Sequence, residues 1–323
     1  MKVLVLVNPR AGNNLGEVWL NRLDRAFRTG QCGTEEWTVE PTQVGDLRTQ
    51  LASRTSCVDR VIIVGGDGTV SGVLNAMTSL RIKVPAGIIP LGTGNDLARS
   101  LGLPTGRPWS LAEVMAYIRS DRTVPLDLWS INGTLTFNNY LSVGLDAQVV
   151  RGFSRIRRWI QKHPFWGRRG IYFSVYLMVW LAHLGGRVPQ GSTLIWMNEG
   201  GSLQKRTLSR VRVVSLTNTP YYAAGALMDP EAQMGDGLFE ITLFPHMRAY
   251  AEMMAMRIPH LAGKGIQMRW WRVRAKEAEL RLGRPTSVQA DGEDITDSVS
   301  EDPILRISPS ARLQILLLPE DRG

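Results

Sequence analysis

The rhythm of apolar residues changes once along the chain. In the first third, short continuous apolar runs alternate with segments of helical spacing. Val3-Leu4-Val5-Leu6-Val7 ends in the turn Asn8-Pro9-Arg10-Ala11-Gly12, and from Glu17 to Phe27 the apolar Val18, Leu20, Leu23 and Phe27 recur at helical intervals. The unit returns twice. Val61 to Val64 runs into Gly65-Gly66-Asp67-Gly68-Thr69 and a helical Val70 to Leu80, and Ala86 to Pro90 runs into Leu91-Gly92-Thr93-Gly94-Asn95-Asp96. Continuous strands separated by helices predict a parallel sheet covered on both faces.

After about Arg122 the texture becomes one of short alternating segments, among them Leu126 to Trp129, Val211 to Leu216 and Leu238 to Leu243. Alternation predicts half-buried antiparallel strands. The same texture continues through Ala278 to Leu282, Ser287 to Ala290, Ile304 to Ile307 and Leu313 to Leu318, which predicts a second, all-β domain built as a sandwich. The change near Asp121 to Pro125 places the domains at 1–124 and 125–323. The fold class expected is therefore α/β plus all-β.

Composition narrows the partners. The 323 residues are 44% hydrophobic and 21% charged, enough for a sizeable core, and 38 Lys and Arg against 29 Asp and Glu give a formal charge of +9. Such a balance points to an anionic partner: a phosphorylated ligand, nucleic acid or an acidic membrane surface. Cys32 and Cys57 are too few for a disulfide framework, and His163, His183, His246 and His260 lack metal-ligand spacing. A cytoplasmic chain without structural zinc is expected. The run Val3 to Val7 reads as a buried strand rather than a secretory signal. Ile171 to Leu184, 14 residues long, falls short of the roughly 20 that span a bilayer.

The candidate chemistry sits at the carboxyl ends of the predicted strands, where open α/β sheets bind ligands. In Gly65-Gly66-Asp67-Gly68-Thr69 three glycines let backbone amides approach a polyphosphate at a helix N-terminus. Asp67 would repel phosphate unless it orients a cation or hydrogen-bonds a ligand hydroxyl. A lone Gly-rich turn is also what a plain connector looks like. Three small polar loops on adjacent strand ends, at Asn8 to Gly12, Gly65 to Thr69 and Gly92 to Asn95, are harder to read that way. No GxxxxGK[ST] motif occurs. In Asp291-Gly292-Glu293 two carboxylates flank a glycine, and at a strand end both can face one cleft. One could accept a hydroxyl proton while the other helps hold magnesium.

Charge is uneven as well. Between Ala147 and Asn198 there is no acid, while Arg151, Arg155, Arg157, Arg158, Lys162, Arg168, Arg169 and Arg187 carry positive charge among Phe153, Trp159, Phe165, Trp166, Tyr172, Phe173, Tyr176 and Trp180. Aromatic and basic residues mixed in this way suit an anionic bilayer or single-stranded nucleic acid. They also suit an amphipathic helix docked on the sandwich. Arg269-Trp270-Trp271-Arg272-Val273-Arg274 is a weaker echo.

The chain resembles the diacylglycerol kinase catalytic family, which includes bacterial lipid kinases and the sphingosine and ceramide kinases. The residues that carry the resemblance are Gly65 to Thr69, Pro90-Leu91-Gly92-Thr93-Gly94-Asn95-Asp96-Leu97-Ala98-Arg99, Phe137 to Ala147, Met234-Gly235-Asp236-Gly237-Leu238-Phe239-Glu240, and Gln289 to Glu293. The chain departs from many bacterial members at Ser71, where they have Asn, and at Ala223-Ala224-Gly225-Ala226, where the family's glycine cluster is thinned.

The resemblance implies an N-terminal Rossmann-like domain of the NAD kinase and phosphofructokinase type, then the sandwich. It implies ATP across Asn8, Pro9, Arg10, Ala11, Gly12, Thr42, Gly65, Gly66, Asp67, Gly68, Thr69, Val70, Ser71, Thr93 and Asn95. A structural Mg²⁺ would be held by the Asp236 carboxylate with backbone carbonyls of Gln233 and Leu238, and Asp291 and Glu293 would form the catalytic turn. The expected activity is ATP- and Mg²⁺-dependent phosphorylation of a lipid hydroxyl, diacylglycerol first. A sphingoid base, ceramide, phosphatidylglycerol or undecaprenol is an alternative acceptor, and a soluble kinase of the NAD-kinase type or a non-enzymatic nucleotide- or nucleic-acid-binding protein are rival readings. The expected partner is lipid at an anionic membrane surface, met peripherally from the cytoplasm, with no nucleic acid; a homodimer is compatible with this plan.

Overall fold

The computed structural model describes residues 1–29, 35–43, 45–54, 58–162, 178–179, 181–255, 270–299 and 302–320, with the backbone alone for 157–162. Cys32, Cys57, His163, His260 and most of the basic-aromatic segment lie outside these residues.

Strands β1 (Lys2–Val7), β2 (Glu36–Pro41), β3 (Arg60–Gly65) and β4 (Ala86–Pro90) pair in the parallel order β2-β1-β3-β4. Helices α1 (Ala11–Arg28), α2 (Leu47–Ala52), α3 (Asp67–Ser79), α4 (Asp96–Ser100) and α5 (Leu111–Ile118) lie in the connections. Every residue from Val3 to Val7 is buried, as is Val61 to Val64, which is why these strands read as continuous apolar runs. The periodic α1 pattern begins only after Gly12, Asn13 and Asn14, all at positive φ, so the turn seen in the sequence persists at the head of the helix.

The chain continues through β5 (Thr123–Ile131), β6 (Leu135–Phe137), β7 (Tyr140–Gly144), α6 (Leu145–Lys162), β8 (Thr193–Met197), β9 (Leu203–Thr207), β10 (Val213–Thr217), β11 (Tyr221–Tyr222), β12 (Ala226–Leu227) and β13 (Phe239–Phe244). It ends with α7 (Met247–Ala255), β14 (Trp271–Ala275), β15 (Glu277–Arg281), β16 (Val288–Ala290), β17 (Glu293–Asp294), α8 (Thr296–Val299) and β18 (Ile304–Leu316). An antiparallel sheet β14-β13-β10-β7-β16-β17 packs against the antiparallel part of the first sheet, β18-β15-β8-β9 with β5 and β6. Trp129, Phe137, Leu194 and Leu280 from one face meet Leu141, Val143, Leu216 and Phe239 from the other in a shared core, the expected sandwich.

The last strand departs from the expected division. Leu305 and Ile307 at the start of β18 sit in the sandwich core, while Leu313, Ile315 and Leu316 at its end sit in the first core, where Ile315 pairs with Ala86 of β4. At about 3.3 Å per residue a strand of this length reaches both cores. The change of texture near residue 124 thus divides the chain in order, and β5 and β18, paired along nearly their whole length, weld the two halves into one sheet.

Candidate active site

The carboxyl ends of β1, β3 and β4 do converge. Gly66 caps α3 in an extended conformation (φ −98°, ψ 179°), so Asp67, Gly68 and Thr69 form the first helical turn rather than a free loop. The Thr69 amide closes this turn on Gly66 O at 2.9 Å, and the positive end of the helix dipole lies at Asp67 and Gly68. Asn8 Nδ2 donates to Thr69 Oγ1 at 2.7 Å, and Asn8 Oδ1 accepts from the Arg10 amide at 3.0 Å, tying the first loop to the second. The second loop touches the third backbone to backbone. A Cβ on Gly92 would come within 2.6 Å of Gly66 Cα, so this approach requires glycine.

Asp67 is the hub. Its Oδ2 accepts from the Asn95 amide at 2.6 Å and its Oδ1 from the Asp96 amide at 2.9 Å. Asn95, in the left-handed region at φ 54°, closes the Gly92–Asn95 turn with its side chain, accepting from Gly92 N and donating to Gly92 O. Burial first, and then the Asp96 carboxylate, push the Asp67 carboxyl up to about 6, with Asp291 a smaller contribution against the two amides. Carboxylates that repel one another in this way fit a cation brought with a phosphorylated ligand.

Thr42 lies at the end of β2, where its amide donates to Val7 O at 2.8 Å. Its buried hydroxyl has no partner among the described residues, an orphan of the kind a ligand satisfies. Thr93 and Arg10 are exposed at the rim, with Pro9 and Gly12 partly so. Ala11 and Val70 point into the protein and are left with backbone roles at most.

From the other side comes the hairpin β16–β17. Its tight turn is Asp291-Gly292 (φ 49° and 83°), the Asp-Gly pair that a two-residue turn with positive φ at both positions demands. Asp291 Oδ1 accepts from the amides of Asn139 (2.8 Å) and Tyr140 (3.0 Å), and Oδ2 from the Asn138 amide (3.1 Å) and Ser71 Oγ (2.8 Å). Burial pushes its carboxyl up, opposed by these bonds. The two carboxylates of the turn therefore differ. Asp291 is enclosed and holds the head of β7 against α3, while Glu293 is exposed, its Oε1 3.4 Å from the position a Cβ on Gly68 would take. Between α3 and the β5–β6 turn lies a cavity of about 520 Å³, lined by Gly68, Ser71, Asn75, Thr136, Asp291 and Glu293 among others. Thr136 Oγ1 donates to Asn75 Oδ1 along its wall.

A second bridge across the cleft had no clear signal beyond the thinned glycine cluster. The Ala224 amide donates to Asp96 Oδ2 at 2.8 Å, and the Arg99 guanidinium, 5.7 Å from the Tyr221 ring centroid, donates to Gly94 O at 3.0 Å. The β11–β12 turn thus rests on the Asp96 loop.

Of the set Gln233, Asp236 and Leu238 expected to hold Mg²⁺, the Asp236 carboxylate is already engaged. Arg274 Nη2 donates to Asp236 Oδ2, the Leu238 amide donates to Asp236 Oδ1 at 3.0 Å, and Gln233 is exposed. Among the described residues no cluster of three His, Cys, Asp or Glu is placed to hold a metal ion. A divalent cation held by these three residues would meet the Arg274 guanidinium already on Asp236, the one carboxylate of the set.

A parallel-sheet domain and an antiparallel sandwich, facing each other across a cleft lined by carboxylates and glycines, define a two-domain fold with the features of a phosphate-ligand site. The profile of the diacylglycerol kinase catalytic domain matches residues 2–131. A diacylglycerol kinase of Mycobacterium tuberculosis is 31% identical over 247 residues, which cover 75% of this chain and 72% of that protein. The chain belongs to the diacylglycerol kinase family. Human diacylglycerol kinase zeta is 27% identical over 90% of this chain, which spans about a third of that relative's length. The crystal structure of a diacylglycerol kinase from Bacillus anthracis superimposes with a TM-score of 0.63 over 98% of this chain and 97% of that one, at 21% identity, and shares the fold.

Proposed function

We propose that the chain transfers the terminal phosphoryl group of ATP, delivered as its magnesium complex, to a lipid hydroxyl, with diacylglycerol the leading acceptor and phosphatidic acid the product. The observation that carries this reading is that Glu293 of the second domain reaches the head of α3, its Oε1 3.4 Å from the position a Cβ on Gly68 would take, beside a cavity that Gly68, Ser71, Asp291 and Glu293 line. Phosphoryl transfer asks a protein chiefly for positioning and charge balance. The amides at the head of α3, the Asn8–Gly12 and Gly92–Asn95 loops and the Thr42 hydroxyl are the donors that would hold the phosphates and ribose.

The proton of the attacking hydroxyl needs an acceptor whose pKa lies near the working pH. Asp67, raised to about 6, suits that role better than Asp291, whose two oxygens already accept four hydrogen bonds. Glu293 lines the cavity beside the head of α3 and would orient the bound ligand. Asp291 and Ser71 would act by fixing the two walls of the cleft.

The acceptor would be met at a membrane surface. No described helix is long and apolar enough to cross a membrane. Ile156, Met178, Leu181 and Leu184 are exposed apolar side chains in and beside the acid-free segment, and Arg155 is exposed with them. Arg151 is not available in this way, since it pairs with Asp297 at 2.8 Å and Asp294 at 3.5 Å. Peripheral binding of anionic lipid, weakened by salt, is the expected behaviour.

The test is radiolabelled ATP offered with diacylglycerol, sphingoid base, ceramide, phosphatidylglycerol, undecaprenol and NAD, read by chromatography of the products. A labelled lipid is expected. Label in NAD alone would replace this reading with a soluble nucleotide kinase, and no labelled acceptor at all would remove it.

A further inference from the structure

Two arginines surround the Gln233–Leu238 turn, and each stands directly across a strand pair from a buried carboxylate. Arg312 on β18 is in register with Asp127 on β5, and Arg274 on β14 is in register with Glu240 on β13. Arg312 Nε and Nη2 donate to the two oxygens of Asp127 at 2.5 and 3.1 Å, a two-pronged contact that a guanidinium makes and an ammonium does not. The turn hangs on the same carboxylate. The Gly237 amide donates to Asp127 Oδ2 at 2.7 Å, and the Asp127 amide donates back to Met234 O at 2.7 Å. A Cβ on Gly237 would lie 3.5 Å from Arg312 Nη2, so the guanidinium sits against the turn itself. On the other side Arg274 reaches Asp236, Glu199 at 2.7 Å and Glu240 at 3.7 Å.

We propose that the guanidinium groups of Arg274 and Arg312 close this turn in place of a divalent cation, so that the second domain holds its shape without magnesium. The charge balance supports it. Asp127 and Asp236 are the carboxylates a cation at the turn would neutralise, and each already faces a fixed positive charge less than 4 Å away. Adding Mg²⁺ would displace a guanidinium from a hydrogen-bonded carboxylate or bring like charges together. Arg312 also lies on the strand that joins the two cores, so the turn is anchored to the central sheet by its hydrogen bonds to Asp127, whose charge Arg312 balances, rather than by a dissociable ion.

The test uses the full chain without nucleotide. Thermal unfolding of the wild type is followed in excess EDTA and in millimolar MgCl₂, beside Asp236→Asn and Arg312→Gln. The two wild-type melting temperatures are expected to agree within about 1 °C, because a ligand stabilises only what it binds. Arg312→Gln is expected to melt about 5 °C or more lower in EDTA. A magnesium-dependent rise in the wild type that Asp236→Asn abolishes would overturn the proposal, as would an Arg312→Gln protein as stable as wild type. Should Arg312→Gln not fold, binding of Mn²⁺ to wild type and to Asp236→Asn, read by the free-ion resonance, decides. Equal binding supports the arginine closure, and a site lost with Asp236 refutes it.

Discussion

Ser71 Oγ donates a 2.8 Å hydrogen bond to Asp291 Oδ2 across 220 residues of sequence, joining helix α3 of the α/β half to the hairpin turn of the sandwich. The bond completes a set of four on Asp291, and three come from backbone amides at the head of β7. Asp291→Asn would turn an NH₂ group toward donors that have nowhere else to go. Leaving buried donors unmet costs about 1–3 kcal/mol each, so the variant should lose at least about 2 kcal/mol, while Ser71→Ala should lose about 1. Urea unfolding of both checks this. An Asp291→Asn protein with wild-type stability and no turnover would return Asp291 to the chemical step.

For Asp67 the expected signature is in the pH profile. With its carboxyl at about 6, the form able to accept a proton fills as pH rises through that value, so kcat/KM should climb along an acid limb near pH 6. The Asp96 carboxylate is the largest charge holding it there. Asp96→Asn should therefore shift the limb to lower pH. Asp67→Asn should lower turnover by about 10² or more, the ordinary worth of a positioned base. A limb that Asp96→Asn leaves in place would mean that another group titrates.

How much of this was legible in the sequence depended on range. Gly65 to Thr69 and Asp291-Gly292 announced themselves because a helix start after a buried strand and a two-residue hairpin turn are local demands, met by residues within a few positions of one another. The sandwich was legible for the same reason, through alternation. What the sequence hid was register. Whether Arg312 stands across from Asp127 or Arg274 across from Glu240 depends on how distant strands slide into place, and one residue of slip reverses each, while Ser71 meets Asp291 only through how α3 packs beside the hairpin. The Mg²⁺ expected at Asp236 came from the family resemblance, which says nothing of the arginines that register brings to it. The end of β18 hid in another way, since its apolar residues carry the same texture whether they serve one core or the other.

Ala223 and Ala224 sit at φ 46° and 66°, followed by Gly225 at 105°. A left-handed conformation costs an L-residue roughly 1–2 kcal/mol, and glycine recovers this at about 0.4–1 kcal/mol of extra freedom in the unfolded chain. Ala223→Gly and Ala224→Gly should each stabilise the protein, by roughly 0.5 kcal/mol. The hydrogen bond from the residue 224 amide to Asp96 survives either change, so turnover should be retained. Midpoints of urea unfolding that fall in both variants would show that the alanine methyl groups contribute packing greater than the strain.

Glu240 gives the second domain a pH dependence whose sign can be worked out. The side chain is only 3% exposed, and burial, followed by Asp229 and Asp236, pushes its carboxyl up to about 8 against the pull of Arg274. An unfolded glutamate titrates near 4.5. The folded protein therefore holds a proton that the unfolded chain releases. The stability this contributes is complete below about 4.5 and is lost as pH rises through about 8, with a slope on the order of 1 kcal/mol per pH unit in between. Glu240→Gln keeps the shape and the hydrogen-bonding capacity of the protonated acid but cannot ionise. It should match the wild type near pH 5 and exceed it above pH 8. Urea midpoints for both proteins across this range measure the difference directly. Parallel curves would mean that Arg274, 3.7 Å away, keeps Glu240 ionised in the fold, and the buried pair would then be a salt bridge at every pH in the range.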